Sequence, residues 1–218
     1  IQQGLVSEVD THRWAWVLMG LVVMGALWLS VRSGAGLVLI GLAGVLLAWA
    51  YSAPPLKLMS RGLGELSVAA AWWLVVVGAD YVQRQHWHFI TAYTAVSFAL
   101  LVANILLING LPDAPAGRAV GKRALAARRS PRGLAVLYTG LMLAAHLWLA
   151  VGVWALIPPL SAIWGLLSLP LGLVASVLLW LRAGEPQRLR PVLALTIATA
   201  SVHGLAMAAG LLSMRWTG

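Results

Sequence analysis

The sequence predicts an all-α membrane protein, a polytopic bundle of about seven transmembrane helices. Three observations carry this expectation. First, 61% of the 218 residues are hydrophobic and 10% are charged, where soluble domains carry about 45–50% apolar and about 25% charged residues. Second, the apolar stretches run on for about the 20 residues a helix needs to cross the hydrocarbon, instead of alternating as barrel strands do. Third, breaks with turn chemistry separate them. With a mean hydropathy of +0.88, a soluble globular domain, a disordered chain and a collagen-like fibre are excluded.

The first span is expected over roughly 13–31, capped by Asp10 or Thr11 and ending before Ser33-Gly34. The second, roughly 35–52, ends ahead of Pro54-Pro55, which implies an extended turn. The third, roughly 65–82, opens on Glu65, an acid placed to complement a helix N-terminus, and ends in the polar run Gln83–His88. The fourth, roughly 88–109, runs through Asn104 to Asn109, with a bent or unwound end expected at Pro112. The last three, roughly 133–156, 159–181 and 191–213, are separated by Pro158-Pro159 and Gly184-Glu185-Pro186. No second domain is legible, so residues 1–218 read as one domain.

Charge placement supports this count. On alternating sides, Arg13, Lys57, Arg61, Arg118, Lys122, Arg123, Arg128, Arg129, Arg132, Arg182, Arg188 and Arg190 fall together, against Arg32, Arg84 and Arg215. The richer side is the cytoplasmic one by the positive-inside rule, which implies an inner-membrane, multi-pass protein. Most of the 12 Trp residues fall near helix ends, where interfacial anchoring is their ordinary role. Trp72 and Trp73 lie deeper, as packing or pocket-lining residues. The absence of cysteine excludes disulfides and thiolate chemistry. Nucleic acid is not an expected partner, because the basic residues follow the spans and no aromatic stacking platform accompanies them.

Six acidic residues are present in all, and Asp113 stands out. Asn109 and Asp113 are four apart and share a face if the helix continues. An amide oxygen and a carboxylate are hard donors suited to Mg2+, which commonly bridges substrate phosphates. Arg118, Lys122 and Arg123 follow, cations able to neutralise a diphosphate leaving group. The loop Tyr51-Ser-Ala-Pro-Pro-Leu-Lys57-Leu-Met-Ser-Arg61-Gly-Leu-Gly-Glu65 faces the same side, so Tyr51, Lys57 and Arg61 could point toward a shared site. Each stretch alone also reads as an ordinary cap, turn or topology signal. Asn104, His146 and His203 are polar residues inside spans. The two histidines read best as hydrogen-bonded helix contacts.

The run YSAPPLKLMSRGLGEL followed by INGLPDAPAGRAVGKRALAARR resembles the UbiA superfamily of membrane prenyltransferases, in particular the branch that prenylates 1,4-dihydroxy-2-naphthoate. The resemblance covers roughly residues 5–135. It implies nine helices and two Asp-rich motifs, with Asn109-x-x-x-Asp113 on the second. The chain given would then start at the third helix, without the first motif and inactive alone. The resemblance implies transfer of a prenyl group from a polyprenyl diphosphate to an aromatic acceptor, with Mg2+ held at Asn109 and Asp113. Asp113, Lys122 and Arg123 would act in catalysis, and Tyr51, Lys57, Arg61, Asn104 and Arg118 in substrate binding. Gly117 stands where the family usually carries a further Asp. It motivates the alternative of a catalytically impaired member that binds lipid or quinone. A small transporter is the third reading.

Overall fold

The computed structural model describes residues 7–119 and 125–213, and among them seven helices are long and apolar enough to cross a membrane. The elements are α1 Glu8–Ser33, α2 Ala35–Ser52, α3 Gly64–Arg84, α4 Phe89–Ala119, a single turn α5 Leu125–Arg128, α6 Pro131–Trp154, α7 Leu169–Arg182 and α8 Arg190–Ser213. No strand occurs among the described residues. The expected all-α bundle therefore forms.

Three local expectations change. The cap of α1 is Ser7, not Asp10 or Thr11: its Oγ accepts from the Asp10 N–H at 3.0 Å, and Asp10 sits inside the first turn. Helix α4 does not break at Pro112 but continues to Ala119. The sixth span is not one α-helix. Leu160–Ser168 is a 3-10 segment that leads directly into α7. At α6 the rules hold as read, with Ser130 accepting from the Gly133 N–H at 3.1 Å and Pro131 in the first turn, where no donor is needed.

Helix α4 is the centre of the bundle. Of its apolar window 61% is buried, against 0% for α1. It packs on α3, α6 and α8. Toward α3 it presents Ala99 and Ala103, which meet Ala69 and Trp73; small residues let the two backbones approach. Elsewhere its Leu101 packs with Met142, Ala145 and Ala200. Trp73 donates its indole N–H to the Ala92 carbonyl at 2.8 Å, so it is a packing residue as expected. Trp72 is 42% exposed, with only its ring edge-on to Phe98.

Polar ties fix the ends of the helices. The Tyr81 hydroxyl accepts from the Gly36 N–H at 3.1 Å, joining the end of α3 to the start of α2. Tyr93 and Trp148 bond reciprocally. The Tyr93 hydroxyl donates to the Trp148 carbonyl and the Trp148 indole N–H to the Tyr93 carbonyl, both at 3.0 Å, with the rings stacked at 4.7 Å.

The 3-10 segment is held by a buried polar knot. His146 Nδ1 lies 2.8 Å from the Met142 carbonyl and His203 Nδ1 lies 3.0 Å from the Gly165 carbonyl. A carbonyl only accepts, so both Nδ1 atoms carry a proton. Each Nε2 meets a serine hydroxyl, Ser168 Oγ for His146 at 2.8 Å and Ser97 Oγ for His203 at 2.9 Å, and these hydroxyls also reach the Gly165 and Thr94 carbonyls at 2.9 Å. Four elements are joined, which makes the histidines the helix contacts the sequence suggested. Replacing His203 by leucine fills similar space but removes two of these bonds. The expected loss is about 1–2 kcal/mol of stability, measured by thermal unfolding in detergent, with retained activity at low temperature. An unchanged melting temperature would show the knot to be idle.

Candidate functional site

The loop between α2 and α3 is compact rather than extended at Pro54-Pro55. Neither proline has an N–H to donate, so the turn is closed by others. The Lys57 N–H bonds the Ala53 carbonyl at 3.0 Å, and the Leu63 N–H bonds that of Leu58 at 3.1 Å. Lys57 adopts a left-handed conformation (φ 43°), and its side chain is exposed. The Arg61 guanidinium folds back onto the Pro55 carbonyl at 2.7 Å. Tyr51 is half-buried at the end of α2, near enough to Glu65 for the two to interact electrostatically. Glu65 is only 9% exposed in the first turn of α3, and has no ion pair among the described residues.

The residue that follows this loop, Gly64 at the start of α3, meets α4: a Cβ placed on it would lie 3.7 Å from Leu106 Cδ2, three residues ahead of Asn109. Asn109 faces the start of α8. A cleft of about 380 Å³ opens there, with Ile108, Pro112, Leu189 and Leu193 as its apolar floor and Asn109, Gln187 and Arg190 as its polar members.

Because α4 remains helical past Pro112, Asn109 and Asp113 stand one turn apart on one side of it. For Asp113 and Arg118 the description extends to helical backbone only, and Lys122 and Arg123 lie outside the described residues. No group of three or more His, Cys, Asp or Glu side chains comes together among the described residues. One amide and one carboxylate do not build a cage, yet they suit an ion that keeps several waters and is completed by substrate phosphates, which is how Mg2+ is usually held. Asn104 sits a turn deeper in α4, 1% exposed, with its amide N–H on the Tyr138 carbonyl at 3.0 Å and no partner for its Oδ1. It is set in the core between α4 and α6, away from the cleft.

In the sequence Arg190 carries only a topology signal and Gln187 carries none, because their approach to Asn109 is a tertiary event with no local signature. Glu65 has the position of a helix-start acid, and its burial comes from tertiary packing that the sequence does not record.

Comparison with known proteins follows the same lines. The model of the UbiA prenyltransferase family matches residues 1–190. A Dictyostelium discoideum protein described as UbiA prenyltransferase domain-containing protein 1 is 28% identical over 111 residues, 50% of this chain and 34% of its own length. The 1,4-dihydroxy-2-naphthoate octaprenyltransferase of Escherichia coli (strain K12) is 25% identical over 226 residues, 99% of this chain and 72% of its own length. The enzyme of that name from Mycobacterium leprae (strain TN) is 29% identical over 164 residues, 72% of this chain and 54% of its own length. No solved structure matches the chain.

Proposed function

The chain belongs to the UbiA prenyltransferase family, and on that premise we propose that it transfers a prenyl group from a polyprenyl diphosphate to an aromatic acceptor, with Mg2+ as cofactor. The observation that supports this most is the packing of the start of α3, directly after the α2–α3 loop, on α4 one turn before Asn109, with Gly64 against Leu106. The acceptor proposed is a 1,4-dihydroxy-2-naphthoate-type ring, after the names of two relatives. The same reading assigns the protein to menaquinone biosynthesis in the inner membrane, with both stretches on the cytoplasmic side as the positive-inside rule suggests.

The division of labour follows from chemistry. Asn109 and Asp113 would hold the metal, which when bound supplies positive charge beside the leaving diphosphate. Arg118, Lys122 and Arg123 add fixed cations at the same group, stabilising the electron pair it takes as the allylic C–O bond breaks. Tyr51, Lys57 and Arg61 hold the diphosphate or orient the acceptor. The ring carbon then forms the new C–C bond and releases the substituent it carried. Apolar helix faces take up the prenyl tail and exclude the water that would quench the cation. In nanodiscs, a form of the protein that carries both Asp-rich motifs should convert labelled farnesyl diphosphate and dihydroxynaphthoate to a Mg2+-dependent, solvent-extractable product. The proposal falls if no aromatic acceptor is prenylated.

Gly117 favours one second reading, an impaired member that binds lipid or quinone. Glycine offers no side-chain ligand where the family usually has Asp. Gly117→Asp is expected to raise Mg2+-dependent turnover about tenfold, equivalent to ~1.4 kcal/mol off the activation barrier. Quinone binding without turnover in either form would establish the second reading.

A further inference from the structure

The cleft between α4 and α8 joins two kinds of surface. Its apolar floor comes from both helices, and three polar side chains, Asn109, Gln187 and Arg190, stand on it. Its volume, about 380 Å³, falls in the ~300–1,000 Å³ range of ligand pockets. The lining contains no carboxylate among the described residues. Of the acids nearby in sequence, Glu185 is taken by Arg188 at 3.0 Å, and Asp113 follows Asn109 by one turn of α4, where the proposal above gives it to the metal. Arg190 has no ion pair among the described residues. An exposed guanidinium beside two amides, over an apolar floor, is complementary to an anionic head on an apolar tail. A guanidinium is also the side chain best shaped to grip two phosphate oxygens at once.

We propose that Arg190 and Gln187, together with Asn109, hold the diphosphate end of the prenyl donor in this cleft. The inference rests on the prenyl-transfer reading above and extends it to a part of the chain outside both motif stretches. Arg190 and Gln187 lie 81 and 78 positions after Asn109 in the sequence, so the fold alone brings them to it. The floor residues Leu189 and Leu193 flank Arg190 on the same turn of chain and receive the first isoprene unit as the head is gripped. The other anionic amphiphile available to this surface is a membrane phospholipid, and the two sources are separable by experiment.

The test measures binding of farnesyl thiolodiphosphate, a donor analogue that resists ionisation, to the protein in phosphatidylcholine nanodiscs. Arg190→Gln should weaken binding about tenfold or more, the loss of one charge-assisted contact. Arg190→Lys should recover part of it, and Gln187→Ala should weaken it a few-fold. Arg132→Gln, which removes a cation at the start of α6, should leave it unchanged. If Arg190→Gln lowers the melting temperature, Arg190→Lys and Gln187→Ala decide. Binding unaffected by changes at 190 and 187 overturns the assignment. An equal loss in Arg132→Gln also overturns it, since the effect would then be general surface charge. So does a loss seen only in discs containing phosphatidylglycerol, which would mark a phospholipid site. Failure of the unaltered protein to bind the analogue overturns both this inference and the transfer reading. Binding that depends on Arg190 with no acceptor prenylated leaves the cleft assigned and removes the transfer reading alone.

Discussion

Asp113→Ala is expected to reduce Mg2+-dependent prenyl transfer by a factor on the order of 10²–10³, the scale of losing a preorganised electrostatic contact to a developing charge. The expectation rests on how little can replace it. Between Asp80 and Glu185 it is the only acidic residue in the sequence. Asn109, one turn back on the same helix, contributes a neutral oxygen and cannot balance a divalent ion. The helix that carries both continues past Pro112 to Ala119, so the substitution removes the proposed ligand while leaving a residue that helix backbone accommodates. Asp113→Asn should retain some of the geometry but little of the rate. The decisive measurement is turnover against Mg2+ concentration: the variant should need more metal and reach a lower maximum. Retained turnover at the unaltered Mg2+ requirement would remove Asp113 from the mechanism.

The largest effect on stability is expected at Gly210. It lies where α8 crosses the 3-10 segment, and a Cβ there would fall within contact distance of the Ser161 backbone and 3.2 Å from Trp164 Cγ. A flexible side chain could move aside; a backbone carbonyl in a packed helix cannot do so without moving its neighbours. Gly210→Ala should therefore cost about 1–3 kcal/mol, the usual range for overpacking, despite alanine's better helix propensity. Gly41→Ala supplies the contrast. Nothing lies within 4 Å of a Cβ at Gly41, so the same substitution should be neutral or slightly stabilising. Thermal unfolding of the pair in one detergent checks both signs. Equal melting temperatures would show that the α8 crossing relaxes freely.

The spans were legible because each is a long apolar run bounded by glycine, proline or charge, and the bilayer imposes that pattern on the sequence directly. Boundaries were less legible. Ser7 outcompeted Asp10 as the cap of α1 because a serine three residues ahead reaches the Asp10 N–H, and a candidate inside the helix cannot cap it. The continuation through Pro112 runs against local propensity. Leu111 and Ala114 on either side of it are buried in the cluster that also contains Leu134, Tyr138 and Leu179, and tertiary packing holds the turn that proline alone would weaken. At the candidate site, the partnership of Asn109 with a loop near residue 190 depends on how α4 and α8 cross, which no window of sequence records. The compact fold of the Pro54-Pro55 loop is closed by the Lys57 and Leu63 N–H groups, with Arg61 reaching back to the Pro55 carbonyl, contacts that no short-range sequence rule specifies.

The 3-10 segment has a consequence for how this span can change in length. Its buried residues, Ala162, Gly165 and Ser168, recur every third position because a 3-10 helix repeats in three. Beyond Leu169 the burial passes to Gly172, Ala175, Ser176 and Leu179, the mixed spacing of a helix with about 3.6 residues per turn. The first half of the span therefore has a reading frame. Gain or loss of three residues moves it by about 6 Å along its axis and leaves the small column facing α8. Gain or loss of one turns the column by a third of a revolution, carrying Ser168 away from His146 and His203. Change in steps of three is the kind this part of the fold can absorb.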